Sequence, residues 1–436
     1  MANPMLDRTL TPVAAPLEKI LFPKVRIAHL TNGIPVYLLQ FGTQEIVELN
    51  ALFPAGKSFE SAPSVSGFTA KMIQEGTRTR NSLEFARVLD RFGAFIHVES
   101  GYESATVGLT SLAKHLQSTV PLWAEMMLEP AFPADELEKM RDRTLQHMDV
   151  EEQKTAYIAR KEYNRLLFGT QHPYGAHSGK DDIRAITLEQ LKEFHASHFH
   201  VANASVIATG RFDEAQLLSL LEATIGAQKL DAPDQKISLS GSHGRWEMPT
   251  AATGLHYFEK PESMQATIRV GHRAFPRSHP DHYPMQVVNT VYGGYFGSRL
   301  MKNIREEKGY TYGVDSAWLT MKYDGLFVVQ TDVGNQYINS TLEEIRKEMQ
   351  LLIEKGLPLA ELDLVRNYML GKSATGRETP SQLLGLIQNA LINDFSFEEI
   401  DRKHDIIMAL TTDDIQRLAA KYFQPSQLLE VVCGKM

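Results

Sequence analysis

Asp181-Asp-Ile-Arg-Ala-Ile-Thr-Leu-Glu-Gln-Leu191 runs through His198-Phe199 to Ala204-Ser-Val-Ile-Ala-Thr-Gly210. Asp405-Ile-Ile-Met-Ala-Leu-Thr-Thr-Asp-Asp-Ile415 runs in the same way through Tyr422-Phe423 to Leu428-Leu-Glu-Val-Val-Cys-Gly434. Thr187, Phe199 and Gly210 map onto Thr411, Phe423 and Gly434 at one constant offset of 224 residues, without a gap. Each copy reads as a capped helix followed by a strand, because Thr187/Gln190 and Thr411/Asp414 have the N-cap/N3 spacing. A repeat at this distance in a chain of 436 residues predicts two related halves.

The seam between the halves reads at residues 227–253, where Pro, Gly and Ser interrupt the periodicity as in a linker. The organisation expected is an N-terminal arm over 1–24, a first domain over 25–226, the linker, and a second domain over 254–436. β-rich runs at Ile34–Leu39, Ile46–Phe53 and Thr106–Leu109 fall in the first half, and Ala266–Val270 and Leu326–Thr331 in the second. Asn81-Ser-Leu-Glu84 opens a helix with Phe85, Val88, Leu89 and Phe92 on one face and Gly93 as its stop. Ser340-Thr-Leu-Glu343 reads as the start of another, with Leu342, Ile345, Met349 and Leu352 inward and Gly356 at its end. Strands come in groups rather than in βαβ alternation, which predicts an α+β fold of two homologous domains, each a mainly antiparallel sheet packed with helices.

Apolar residues make up 43% and charged residues 22%, as in a globular chain with filled cores. The formal charge of −8 argues against nucleic acid or an anionic membrane as the main partner. A single cysteine, Cys433, excludes an internal disulfide framework and any multi-cysteine zinc site. No apolar run is long enough for a transmembrane segment. The first residues lack the basic-then-apolar order of a signal peptide, so the expectation is a cytoplasmic protein, or a periplasmic one whose leader has been removed.

Gly297-Ser-Arg-Leu-Met-Lys-Asn-Ile-Arg305-Glu-Glu-Lys-Gly309 reads as a short helix with Leu300, Met301 and Ile304 buried and Gly309 as its left-handed stop. Tyr310–Val314 then enters a strand, which brings Arg305 and Tyr312 close enough to share a pocket. For an isolated Arg and Tyr, the ordinary expectation is that Arg305 pairs with a surface carboxylate and Tyr312 packs in the core.

The pattern S-R-L-x-x-x-I-R-E-x-x-G-x-x-Y over Ser298–Tyr312 resembles the second-domain motif of the pitrilysin/insulinase family of zinc metallopeptidases, which includes the mitochondrial processing peptidases. The resemblance extends to Leu30-Thr-Asn-Gly33-Ile-Pro-Val36, Glu129-Pro-Ala-Phe132-Pro133 with Leu137–Arg141, and His172-Pro-Tyr174-Gly175, and spans about Val25 to Gly434. It implies a LuxS/metallohydrolase-like processing-peptidase fold. It also implies that Arg305 and Tyr312 contact substrate at the cleavage point. A guanidinium fork suits a peptide carbonyl, and a phenol can donate to a developing oxyanion.

Active members of that family carry H-x-x-E-H-x-x-x-x-G-T, in which the two His bind zinc and the Glu activates water. Anchored on Gly76-Thr77, those positions hold Gly67, Ala70 and Lys71, and the third ligand position holds His147. Gly and Ala cannot ligate, a Lys ammonium repels the ion, and a catalytic zinc needs about three protein ligands. The resemblance therefore implies a degenerate zinc site, no metal and no catalytic residue in this chain, and zinc on a partner subunit. Among other clusters, His195 and His198 lie one helical turn apart, but no carboxylate or thiol at ligand spacing supports a metal pair. The expectation there is a helix end with one His packed and the others facing solvent. His97 and His115 read as isolated and structural. Gly293-Gly294-Tyr-Phe-Gly297 lacks the Lys-Ser/Thr of a phosphate loop and reads as a tight turn. Glu75 reads as solvent-facing.

The function expected is the noncatalytic, substrate-binding subunit of a two-chain zinc peptidase acting on unfolded peptides. Its partner would be a homologous H-x-x-E-H subunit in a heterodimer, or a second copy in a homodimer. The alternative is a structural or scaffold homologue with no peptidase role. An active hydrolase with a relocated site is not supported, because no nucleophile–base set is visible.

Overall fold

The computed structural model describes residues 19–228 and 249–435, together with Thr9, Ile237, Leu239 and Trp246. Most of the arm at 1–24 and of the linker at 227–253 lies outside them. Among the described residues eleven strands form two sheets. The first contains β1 (Arg26–His29), β2 (Pro35–Gln40), β3 (Ile46–Phe53), β4 (Phe95–Ser100), β5 (Ala105–Leu112) and β6 (Ser205–Gly210), in the order β1-β2-β6-β3-β5-β4. The second contains β7 (Gly254–Glu259), β8 (Gln265–Ala274), β9 (Thr311–Thr320), β10 (Gly325–Gly334) and β11 (Leu429–Gly434), in the order β7-β11-β8-β10-β9. Without β1 the two orders are the same. Each sheet is antiparallel except for one parallel pair, Val36 opposite Val206 and Leu429 opposite Gly254. The fold is the duplicated α+β architecture that the repeat predicts.

The repeated helices Leu188–His198 and Thr412–Tyr422 are both closed by reciprocal capping boxes, Thr187 with Gln190 and Thr411 with Asp414. The Asn81/Glu84 box likewise opens the helix Ser82–Asp90. One boundary differs from the sequence reading. The helix expected from Ser340 begins at Ile338, as a continuation of the 3-10 turn Asn335–Tyr337, and runs to Lys355 with no side-chain cap. The preceding turn already fixes its first residues, so no capping side chain is needed there.

In β3 the end Ala51-Leu-Phe53 is buried on both faces, which requires cover on both sides of the sheet. The second cover comes from the other half. Helix Pro380–Ile392 lays Leu383, Leu384 and Ile387 on Leu39 and Ile207 of the first sheet, and Gln388 hydrogen-bonds Asn50 and Thr106. Reciprocally, helix Thr155–Phe168 of the first half covers the second sheet, packing Ala159, Tyr163 and Leu167 against Leu326, Val328, Val431 and Cys433. Tyr163 Oη donates to Phe327 O at 2.6 Å. That approach needs Gly271, because a Cβ there would lie 2.0 Å from Phe327 O and 2.5 Å from Tyr163 Oη. Tyr163→Phe removes one buried hydrogen bond while keeping the ring. It is expected to cost about 1 kcal/mol, read as a lower urea midpoint at unchanged slope, and an unchanged midpoint would contradict it. No described helix is long and apolar enough to cross a membrane.

Candidate functional site

The second-half segment is held from below. Leu300, Met301 and Ile304 are buried in the second core. Arg299 forks onto Glu361 at 2.9 and 3.0 Å and donates to Gly356 O at 2.9 Å. Asn303 donates to Glu344 and Glu348, each at 2.7 Å. Between these anchors the backbone widens into a π-helical turn over Met301–Glu307, a geometry that re-aims side chains and recurs at functional sites. Gly309, at φ +66°, ends it and turns the chain into β9.

Arg305 is thereby carried out of the core and set near two rings. Its guanidinium carbon lies 4.5 Å from the Phe296 centroid and 5.5 Å from that of Tyr312. Tyr312 is 92% exposed and Phe296 64% exposed. Neither ordinary fate holds: Tyr312 is not in the core, and Arg305 has no carboxylate partner among the described residues. Tyr312, Phe296 and the Gly293-Gly294 turn line a cavity of about 510 Å³ that also receives Asp315 and Asp332. Burial pushes the Asp315 carboxyl up, against two bonds from Gln330 and the charge of Arg269. Tyr312 thus lines a solvent-open cavity, while Arg305, which is not itself in the lining, stands behind Phe296 and Tyr312 with no hydrogen-bond partner among the described residues. Phe296 was missed by sequence reasoning. Its only signal was an aromatic residue inside a turn that otherwise needed glycine.

The first-half positions look different. Gly67 lies on the helix Val65–Ile73, and a Cβ there would meet nothing within 4 Å, so it leaves open space in a cavity of about 420 Å³. Ala70 is 2% exposed and belongs to the first core. Lys71 is exposed and lines both this cavity and a neighbouring one of about 500 Å³, which His147 on helix Ala134–Glu151 also lines. The His147 imidazole Nε2 stands 3.8 Å from Glu151. The structure thus brings Gly67 and Lys71 to one cavity, and Lys71 and His147 to the next. This donor set does not fit zinc, since it offers a single imidazole beside an ammonium. Among the described residues no group of three His, Cys, Asp or Glu is placed to hold a metal.

Other side chains occupy the first-half cavity instead. Glu60 accepts from Ser66 N at 3.1 Å and Ser66 Oγ at 2.8 Å, capping the helix in place of Ser64. Ser64, at φ +68°, turns its hydroxyl to Ser178 Oγ at 2.6 Å. Burial pushes the Glu60 carboxyl up and the Lys57 ammonium down. Two expectations are corrected here. Glu75 is only in part solvent-facing: its side chain is 23% exposed, it lines the cavity of Lys71 and His147, 3.9 Å from Arg143, and burial pushes its carboxyl up. His195 and His198 are both half-buried and point to different carbonyls, Met127 O at 2.9 Å and Pro54 O at 3.0 Å, because aromatic packing on Phe132, Phe199 and Phe194 fixes each ring.

Comparison with known proteins places this architecture. A family model described as insulinase (peptidase family M16) matches residues 43–172, and one described as the peptidase M16 inactive domain matches residues 185–369. The chain belongs to peptidase family M16. A Rickettsia felis protein named an uncharacterized zinc protease is 21% identical over 406 residues, covering 91% of this chain and 94% of that one. A Helicobacter pylori protein named non-peptidase homolog YmxG is 26% identical over 362 residues, covering 79% and 81%. In fold, the chain matches a crystal structure of a peptidase M16 inactive domain from Pseudomonas fluorescens, with TM-score 0.83, 23% identity and coverage of 94% and 98%. It also matches a protease from Helicobacter pylori, with TM-score 0.85, 18% identity and coverage of 95% and 100%.

Proposed function

We propose that this chain is the noncatalytic, substrate-binding subunit of a two-chain zinc metallopeptidase that acts on unfolded peptides. The observation that carries this reading is Arg305 set against the exposed Phe296 and Tyr312 rings, with no counter-ion among the described residues, in a chain whose zinc positions hold Gly67, Ala70 and Lys71. An arginine held against two rings loses little further freedom when it donates to a ligand, and so suits a peptide carbonyl. Tyr312 Oη would donate to the oxyanion that forms when the carbonyl is attacked. Zinc and its general base would come from a homologous H-x-x-E-H subunit. The name of the Helicobacter pylori relative, a non-peptidase homolog, agrees with such a division of labour.

The test is to purify the chain alone and with an H-x-x-E-H homologue from the same genome. Expected alone are no stoichiometric zinc and no cleavage of an unfolded peptide; expected together are a stable complex and cleavage. Full zinc occupancy with peptidase activity in the lone chain would overturn the assignment. Failure to associate with any such homologue would favour the scaffold reading.

A further inference from the structure

A second cavity of about 490 Å³ lies within the second half, between the helices His282–Tyr292, Leu359–Thr375, Pro380–Ile392 and Glu398–Ala409 and the strand β9. Four cations line it: Arg277, Lys372, Arg377 and Lys403. Among the described residues only Arg377 pairs with a carboxylate, Asp401 at 2.9 Å, and it also donates to the carbonyls of Ile20 and Ile400. The Arg277 guanidinium lies over the rings of Tyr283 and Phe395, at 5.4 and 5.2 Å, and makes no ion pair among the described residues. Lys372 and Lys403 make no ion pair among the described residues.

The neighbouring carboxylates are already engaged. Asp401 is held by Arg377 and the Phe22 amide, Glu399 by Arg402, and Asp394 by Lys322. Burial, with the positive charges of Arg277, Lys372 and Arg377 added, pushes the Lys403 ammonium toward the neutral form. Burial also lowers Arg277, against its interaction with the Tyr283 hydroxyl, and the guanidinium stays charged. Trp318, 2% exposed, lines the same cavity, and its indole N–H has no partner among the described residues. Partly buried like charges without a counter-ion are costly, and arrangements of this kind persist where an anion completes them.

We propose that this cavity is a binding site for a small phosphorylated molecule. Two ammonium groups and a guanidinium, unmatched by carboxylates among the described residues, suit a phosphate or pyrophosphate group, whose oxygens can accept from such donors. The cavity is the size of a small-molecule site and has aromatic walls at Tyr283, Trp318 and Phe395 for the remainder of such a ligand. The site is independent of the reading of Arg305 and Tyr312, although Gly294 lines both cavities.

The experiment is titration of the full chain, purified without phosphate, with inorganic pyrophosphate by calorimetry and thermal unfolding. Citrate and sulfate at equal ionic strength serve as comparison anions. Expected is saturable one-to-one binding of pyrophosphate, tighter than of either comparison anion, with a raised unfolding midpoint. Lys403→Gln and the more exposed Lys372→Gln should each weaken pyrophosphate at least about tenfold. Each should also raise the midpoint of the unliganded chain, because each relieves repulsion; a purely structural lysine would lower it when removed. The proposal is overturned by absent or non-saturating binding, by equal binding of the three anions, or by wild-type affinity in both variants.

Discussion

Arg305→Ala in the reconstituted two-chain complex is expected to lower kcat/KM for an unfolded peptide by about a hundredfold or more. The unfolding midpoint of the chain should hardly move. Arg305 forms no ion pair among the described residues and lies near two rings that are themselves exposed, so its loss leaves no buried group there unsatisfied. Arg305→Lys should fall between, since it keeps the charge but loses the planar fork. Tyr312→Phe keeps the ring under Arg305 and deletes only the hydroxyl. It should therefore lower kcat on the order of tenfold to a hundredfold while KM changes little. Steady-state cleavage of a fluorogenic peptide, with complex formation checked by size exclusion, separates these outcomes. Wild-type rates in both Arg305→Ala and Tyr312→Phe would remove the substrate-binding role and leave the scaffold reading.

Mild acid is expected to destabilise the fold through two buried histidines. His172 is 1% exposed, stacks on Phe168, and accepts through Nδ1 from Tyr174 N at 3.1 Å, a bond that needs an unprotonated nitrogen. Burial, with the charge of Arg273 added, pushes it down to about 4 from 6.5. His282 is 4% exposed and is pushed down to about 3 by burial and the charges of Arg277 and Lys403. Both folded values are depressed, so between them and 6.5 the unfolded chain binds more protons. Stability is then complete above pH 6.5 and falls as the pH drops toward 4. Each histidine contributes on the order of 3 kcal/mol to that loss at pH 4. The raised carboxyls of Glu60 and Glu103 act in the opposite sense. Urea midpoints at pH 7, 5.5 and 4.5 should fall in that order, and His172→Gln should flatten the slope. A midpoint independent of pH across this range would refute the argument.

The duplication was legible because the units that carry it are local. A Thr at N-cap with a Gln or Asp at N3, followed by an apolar strand ending in Gly210 or Gly434, is written in contiguous residues. The pairing of Arg305 with Tyr312 was legible for the same reason, since one turn and Gly309 join them. The exchanged helices were not. The apolar stripe of Thr155–Phe168 says that one face is covered, but nothing in its spacing says which sheet covers it. The cationic cavity was equally hidden, because Arg277, Lys372, Arg377 and Lys403 come from separate elements and meet only in the folded chain. Glu75 was misjudged because its burial depends on Arg143 and Glu136 from another helix.

The exchanged helices also set an order of events during synthesis. Thr155–Phe168 rests on β11, whose residues 429–434 are made long after it, and β11 itself occupies an inner position in its sheet. Until that strand emerges from the ribosome, the stripe of Ala159, Tyr163 and Leu167 has no native surface to cover. The back of the first sheet likewise waits for Pro380–Ile392. Contacts so distant in sequence carry a high loop-closure cost and make for slow, late consolidation. A nascent chain halted between the two halves would present an incomplete sheet face and a bare amphipathic helix, the kind of surface that chaperones hold.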